Sequence, residues 1–279
     1  MSQSAATQAL RQNITRENHF LPVCYQESFT NAEGELCVQF LDKDSPIPLH
    51  PRVVGKINDF YTRTIDGVDD DKIERFFGEF VEGEYSSVAK RIKAHKNEFV
   101  LRREDIPILL KFVATQIVRT LAHRLCVDEQ AGIEVPQGVF IHNMHRKMKL
   151  ITHSWSCNCP DIILWTTLPY LGSQYITGDN PVVCFSTNDG PNVQTFLPPV
   201  HKIIDLNESL KSSFNGFIVP LSPYICLQVV NSHRGRVTIK PPQPKDPREV
   251  REFNQLIYNQ SVQFVAAREA EFLRFHTKK

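Results

Sequence analysis

Hydrophobic and polar positions follow two different periods along the chain. Residues 34–44 alternate, with Leu36, Val38 and Phe40 on one face, which predicts a strand. Elsewhere in the first half, apolar side chains recur at three- and four-residue intervals, which predicts helices. The helical stretches are 71–95, 103–126 and 139–155. The first half of the chain is therefore predicted to be mainly helical.

The second half has a different pattern. Beyond about residue 162, short apolar runs are separated by glycine, proline and asparagine, which predicts short strands. The chain closes on residues 243–275, where Asp246, Pro247 and Glu249 supply a cap, a first-turn proline and a capping box. The sequence therefore predicts an α+β fold with a helical N-terminal half, a small mostly antiparallel sheet in the C-terminal half and a long capped C-terminal helix.

Composition and charge narrow the class of protein. Of the 279 residues, 41% are hydrophobic and 23% charged, as in ordinary globular proteins. We expect a loose N-terminal segment over residues 1–17 and a single α+β domain over residues 18–279. The chain has 32 Lys and Arg and 31 Asp and Glu, so its net charge is +1. This balance excludes a positive potential over the whole surface that would attract nucleic acid, but it does not exclude a local basic patch.

The cysteines and the lack of long apolar runs bear on location. The seven cysteines are scattered, the N-terminus has no apolar leader, and no run of about 18 apolar residues occurs. We therefore expect a cytoplasmic protein with reduced thiols and no membrane partner. GxxxxGK, GxGxxG, GxSxG and HExxH segments are absent, which argues against P-loop ATPases, common dinucleotide folds, α/β-hydrolases and thermolysin-like proteases. The need for a divalent metal and the oligomeric state stay open.

Five segments carry a family resemblance: HFLPVCYQESF, FVATQIVRT, YITGDNPVV, FIVPLSPYICLQV and FNQLIYNQSVQFVAA. Their order and spacing, from about residue 18 to 268, resemble the uncharacterised family called domain of unknown function 4238. Gln26 departs from the family's usual Leu, and Gly178 from its frequent Ser. The resemblance implies a mainly bacterial, cytosolic protein with an α+β fold, and it brings no established activity.

Polar residues set against apolar segments are the candidate site residues: His19, Gln116, Arg119, Asp179 and Asn180. Asp179 is either a carboxylate base or metal ligand, or an ordinary Asx turn before Pro181, and the turn is the simpler interpretation. Arg119 either clamps a phosphate or carboxylate, or pairs with an acidic neighbour such as Asp179.

If these five residues converge in one cleft, they suit hydrolysis of a phosphodiester or related bond. Arg119 would stabilise negative charge, Asp179 would position water and His19 would transfer a proton. The sequence-based hypothesis is thus a hydrolase-type effector, of a defence or toxin kind, acting on RNA, DNA or a nucleotide. The alternative is a non-enzymatic binding or regulatory module in which the same polar residues are structural.

The predicted helix 139–155 carries further polar residues of uncertain role. Its histidines, with Cys157 and Cys159, are a weak zinc candidate because Cys-x-Cys is not a usual knuckle spacing. Arg146 and His153 have the spacing of ribonucleases of the HEPN superfamily, which is a weak signal on its own. The basic run 145–149 either contacts phosphates or is a solvated helix face.

Overall fold

The computed structural model of the protein describes residues 16–65, 68–157, 160–168, 171–186, 195–197, 216–231 and 236–274. The helices in these residues are α1 Val23–Gln26, α2 Lys72–Phe76, α3 Gly83–His95, α4 Asp105–Val118, α5 Leu121–Ala131, α6 Gln137–Cys157 and α7 Pro247–Gln260. A π-helical turn, Phe77–Glu82, joins α2 to α3.

The described strands are short, and most lie in two sheets. They are β1 Glu17–His19, β2 Leu36–Phe40, β3 Ile47–Leu49, β4 Lys56–Asn58, β5 Arg63–Ile65, β6 Val68–Asp70, β7 Asp161–Thr167, β8 Thr177–Gly178, β9 Val183–Ser186, β10 Thr195–Leu197, β11 Gly216–Ser222, β12 Ile225–Val230, β13 Thr238–Ile239, β14 Gln243–Lys245 and β15 Phe264–Ala267. One sheet has seven strands in the order β10-β9-β11-β12-β7-β13, with β14 also on β7; a second has the order β3-β2-β15-β8. The other described strands form two separate two-stranded antiparallel sheets, β1-β4 and β5-β6.

The predicted fold description is wrong in its sheet and in its last helix. The β-structure is not one small sheet: it comprises a seven-stranded sheet, in which β13 and β14 run parallel to β7, and a separate four-stranded sheet. The four-stranded sheet takes β2 and β3 from the half that was predicted to be mainly helical, and β2 confirms the strand predicted within residues 34–44. Most pairings are antiparallel, so only that part of the sheet prediction agrees with the structure.

The C-terminal helix is also shorter than predicted. Asp246 caps α7 with the predicted capping box to Glu249, but the helix ends at Gln260 after 14 residues. The predicted helical continuation instead contains β15, which lies between β2 and β8. All four β15 side chains are buried there, so pairing with two distant strands overrides the local helical pattern.

The predicted helix 103–126 is two helices. α4 ends at Val118, Thr120 caps α5 by accepting a hydrogen bond from the His123 N–H, and the two axes differ by 48°. The bend therefore separates Gln116, on α4, from His123, on α5. The predicted helix 139–155 is confirmed as α6, and the predicted helix 71–95 is divided by the π-helical turn into α2 and α3.

One apolar core takes side chains from both halves of the chain, among them Phe112 of α4 and Val219 of β11. Tyr25 of α1 ties these halves together. Its hydroxyl donates to the Pro220 carbonyl at 2.7 Å and lies 2.8 Å from the Thr177 hydroxyl. Among the described helices no single one is long and apolar enough to cross a bilayer; α4 and α5 reach that length and composition only as a bent pair.

Candidate functional site

Arg119 lies at the junction between α4 and α5, and its side chain is fully buried. Its Nη1 donates to Glu82 Oε1 at 2.8 Å, and its Nη2 donates to the backbone carbonyl of His19. The guanidinium stacks over Phe77 with 4.5 Å from Cζ to the ring centroid. Arg119 is thus an internal cation that joins β1 to the π-helical turn, and the acidic partner that the sequence left open is Glu82.

The π-helical turn supplies the acidic side of this site. Gly83 N–H bonds to the Gly78 carbonyl, five residues back, so the turn holds one extra residue compared with an α-helix. Glu82 is the last residue of this turn, and Glu74 lies in α2, the helix that precedes the turn. π-helical turns are rare and are found frequently at functional sites, so the residues of this turn are candidates for a functional role.

Glu74 has a protonation equilibrium near neutrality. Burial raises its pKa to about 7, and Glu82 and Asp71 add to the rise while the Arg119 cation opposes it. The carboxyl accepts the backbone N–H of His19, and its Oε2 has no hydrogen-bond partner among the described residues. A carboxyl group with a pKa near 7 is suited to general acid–base catalysis.

His19 is the second titratable group of the site, and it is half-buried. Burial lowers its pKa, so the imidazole is neutral at pH 7. Its Nε2 lies 3.1 Å from the Arg52 carbonyl oxygen. Because a carbonyl only accepts, Nε2 is the donor and Nδ1 of the neutral ring is left as a base. We call His19, Glu74, Glu82 and Arg119 the Arg119 cluster.

Two further polar groups adjoin the Arg119 cluster. Cys24 interacts electrostatically with Glu82 and Arg119, and burial raises the pKa of its thiol to about 12, so it is no thiolate nucleophile at neutral pH. Gln116 lies one turn before Arg119 and is fully buried. Neither its Oε1 nor its Nε2 has a hydrogen-bond partner among the described residues. An unpaired buried amide is costly in structure, which favours a role in holding a water or ligand.

Asp179 follows β8, and its contacts are with the backbone that links α7 to β15. Its carboxylate accepts the N–H groups of Val262, at 2.9 Å, and Gln263, at 2.5 Å. Burial raises its pKa to about 6, although these two N–H donors lower it. The TGDNP segment is therefore more than a local turn, because Asp179 caps the start of a central strand.

Asn180 and Gly178 also contact the end of α7. We call residues 178–180, with residues 260–263 that they contact, the clamp around Asp179. Asn180 Nδ2 donates to the Gln260 carbonyl at 3.2 Å, and Gln260 Nε2 donates back to the Asn180 carbonyl at 2.5 Å. A Cβ on Gly178 would lie 2.2 Å from Ser261 Oγ. A Cβ at this position would force the Ser261 hydroxyl to move and would lie 3.1 Å from the Phe264 carbonyl oxygen, so Gly178 in place of the family's Ser matches the packing.

The structure thus brings two of the five predicted site residues, His19 and Arg119, into contact. Gln116 is next to them on α4, while Asp179 and Asn180 contact the end of α7. Among the described residues no hydrogen bond or ion pair joins Arg119 to Asp179, and convergence of all five stays a prediction.

Sequence reasoning missed Glu74 and Glu82. The available signal was their position in a predicted helix, 71–95, that contains two glycines, Gly78 and Gly83. In the part of the chain that the structure describes, no group of three or more His, Cys, Asp or Glu side chains could hold a metal ion. Of the weak zinc candidate, Cys159 lies outside the described residues, as does the side chain of Cys157.

Comparison with known proteins gives one match. A family model described as "Protein of unknown function (DUF4238)" matches residues 17–153 and 161–271. No curated protein and no solved structure matches the chain. The matched residues include both the Arg119 cluster and the clamp around Asp179.

Proposed function

The chain belongs to this family of unknown function, DUF4238, and from the geometry of the Arg119 cluster we propose that it is a hydrolase of the effector type. It cleaves a phosphodiester or related bond in a nucleic acid or nucleotide. The observation that carries this proposal is that two half-buried acid–base residues, His19 and Glu74, both adjoin a fully buried arginine.

The residues divide the reaction between them. His19 Nδ1 takes a proton from a water molecule, whose oxygen then forms a bond to phosphorus. As the bond from phosphorus to the leaving oxygen breaks, Glu74 gives its proton to that oxygen. Arg119 is a positioning residue, because its two Nη groups hold Glu82 and the His19 backbone in place. Arg52 and Lys56, which surround His19, attract the anionic substrate.

We place this activity in the cytoplasm. The five cysteines that the structure describes as free thiols support a reducing compartment. The competing proposal, a non-enzymatic binding or regulatory module, is favoured by the closed hydrogen bonding of Asp179 and Asn180. That observation concerns only the clamp, whereas Glu74 Oε2, Arg119 Nε and both polar side-chain atoms of Gln116 have no hydrogen-bond partner among the described residues.

The test is cleavage of RNA and DNA, single- and double-stranded, by purified wild type, Glu74→Gln and His19→Asn. We expect each variant to lose about 10²- to 10⁴-fold in rate, as removal of a general acid or base does. Glu79→Gln is the matched control, since Glu79 is exposed on the same helical stretch. Cleavage by Glu74→Gln at the wild-type rate, or a folded wild type that cleaves neither nucleic acid, would overturn the proposal.

A further inference from the structure

One face of α6 carries a row of exposed cationic and imidazole side chains. His142, Arg146 and Lys149 are spaced at i, i+4 and i+7, which places them within about 60° of one another, and His153 continues the same face. From His142 to His153 these side chains span about 16 Å along the helix axis. α6 contains no Asp or Glu over its 21 residues. We call His142, Arg146 and Lys149 the basic row.

The charges of the basic row are not neutralised by neighbours. Neither Arg146 nor Lys149 forms an ion pair with any residue that the structure describes, whereas the exposed Arg248 pairs with Glu252 at 3.0 Å. His145, beside the row, has its pKa lowered by burial and then by the nearby Lys149 and His142. The positive potential is therefore local, although the net charge of the chain is only +1.

An exposed aromatic surface adjoins the basic row. Phe80, in the π-helical turn, is 53% exposed and stacks on Phe76 with 5.5 Å between ring centroids. Phe76 in turn meets the His145 ring edge-on at 5.4 Å. Among the large hydrophobic side chains that the described residues leave exposed, Phe80 is the only aromatic one, so its ring is accessible for stacking.

We propose that this face binds single-stranded nucleic acid, with a base stacked on Phe80 and backbone phosphates on Arg146 and Lys149. Unpaired bases expose their π-faces to aromatic side chains, whereas a duplex hides them. The inference rests on the proposed function and names its substrate class, because α2 carries both Glu74 and the Phe76 ring on which Phe80 stacks. RNA and DNA share this chemistry, and the test separates them.

Binding is measured by fluorescence anisotropy with labelled oligouridylate and oligothymidylate about 12 nucleotides long. Phe80→Ala should weaken binding about 5- to 100-fold, and Phe80→Trp should retain it. Arg146→Ala with Lys149→Ala should reduce the slope of log K against log salt by about 1.4, as loss of two phosphate contacts predicts. The matched control, Lys90→Ala with Arg251→Ala, removes the same charges from exposed positions on α3 and α7.

The outcomes separate this inference from the proposed function. Binding by Glu74→Gln without cleavage supports both, and binding by a wild type that cleaves nothing supports this surface alone. The inference is overturned if duplex binds as tightly as single strands, if Phe80→Ala binds like wild type, or if the control double variant weakens binding equally. It is also overturned if the protein binds neither oligonucleotide. The tighter of the two ligands identifies the natural strand.

Discussion

At the scale of single residues, the Arg119 cluster shows how burial changes acid–base chemistry. Arg119 places a positive charge in the interior, and two carboxyl groups sit around it, of which only Glu82 makes a direct ion pair. Burial is the largest influence on the pKa of Glu74, and it raises that pKa. The sequence identified His19, Gln116 and Arg119 because polar residues stood out in apolar segments, but Glu74 and Glu82 became site residues only through tertiary contacts.

The Glu74→Gln substitution should change how stability depends on pH. In the native state the Glu74 pKa is raised from 4.5 to about 7, so its contribution to stability is full below pH 4.5 and is lost as pH rises through about 7. Between pH 5 and 8 the free energy of unfolding of wild type should therefore fall more than that of Glu74→Gln. Urea unfolding at several pH values measures this, with Glu79→Gln as control; identical pH dependence in all three proteins would contradict it.

Removing the buried cation should destabilise the fold. Arg119→Met leaves the Glu82 carboxylate without its partner, and loss of one member of a buried pair costs about 3 kcal/mol. The double variant Arg119→Met/Glu82→Gln should recover part of this loss, because it no longer leaves an unpaired charge. Urea unfolding of Arg119→Met, Glu82→Gln and the double variant, each compared with wild type, gives the coupling energy between the two side chains. No recovery in the double variant would show that the ion pair is not the source of the loss.

At the scale of elements, the clamp around Asp179 fixes where α7 ends and β15 begins. Ser261 follows α7 with extended backbone, and the next two N–H groups donate to Asp179. These contacts join residues that are more than 80 positions apart in the chain. The clamp therefore depends on non-local structure, in contrast to the local Asx turn that the sequence favoured.

Asp179→Ala should act on stability rather than on chemistry. Two backbone N–H groups lose their acceptor, and we expect the free energy of unfolding to fall by about 1–3 kcal/mol. Amide hydrogen exchange should become faster at Val262 and Gln263, and the rate of any cleavage should stay near that of wild type in the folded fraction. An inactive variant with unchanged melting temperature would instead return Asp179 to the catalytic site.

The elements that the sequence predicted well are those with strong local signals. α6 follows an apolar period over many residues, and the Asp246 cap marks the start of α7. The two-residue strands β8 and β13 have no such signal, and they exist because of their partners. β15 carries a helical period yet forms a strand, since two neighbouring strands supply its hydrogen bonds. For the same reason the size of the sheets exceeded the prediction.

At the scale of the whole molecule, the core determines how the two halves depend on each other. The main apolar cluster includes side chains from α3, α4 and α6 together with β7, β11 and β12. Trp155 of α6 packs on Phe217 of β11 with 4.3 Å between ring centroids. Tyr25 of α1 also forms hydrogen bonds with Thr177 and Pro220. Loss of either half would expose the apolar surface of the other.

We therefore expect a single cooperative unfolding transition. Far-UV circular dichroism follows the helices, and tryptophan fluorescence follows the only two tryptophans, Trp155 and Trp165, so the two probes should give the same midpoint. Tyr25→Phe leaves the Pro220 carbonyl without its donor and should lower both midpoints together, by about 1–2 kcal/mol in free energy. Two separate transitions, or a shift in one probe alone, would show that the halves unfold independently and that the shared core does not couple them.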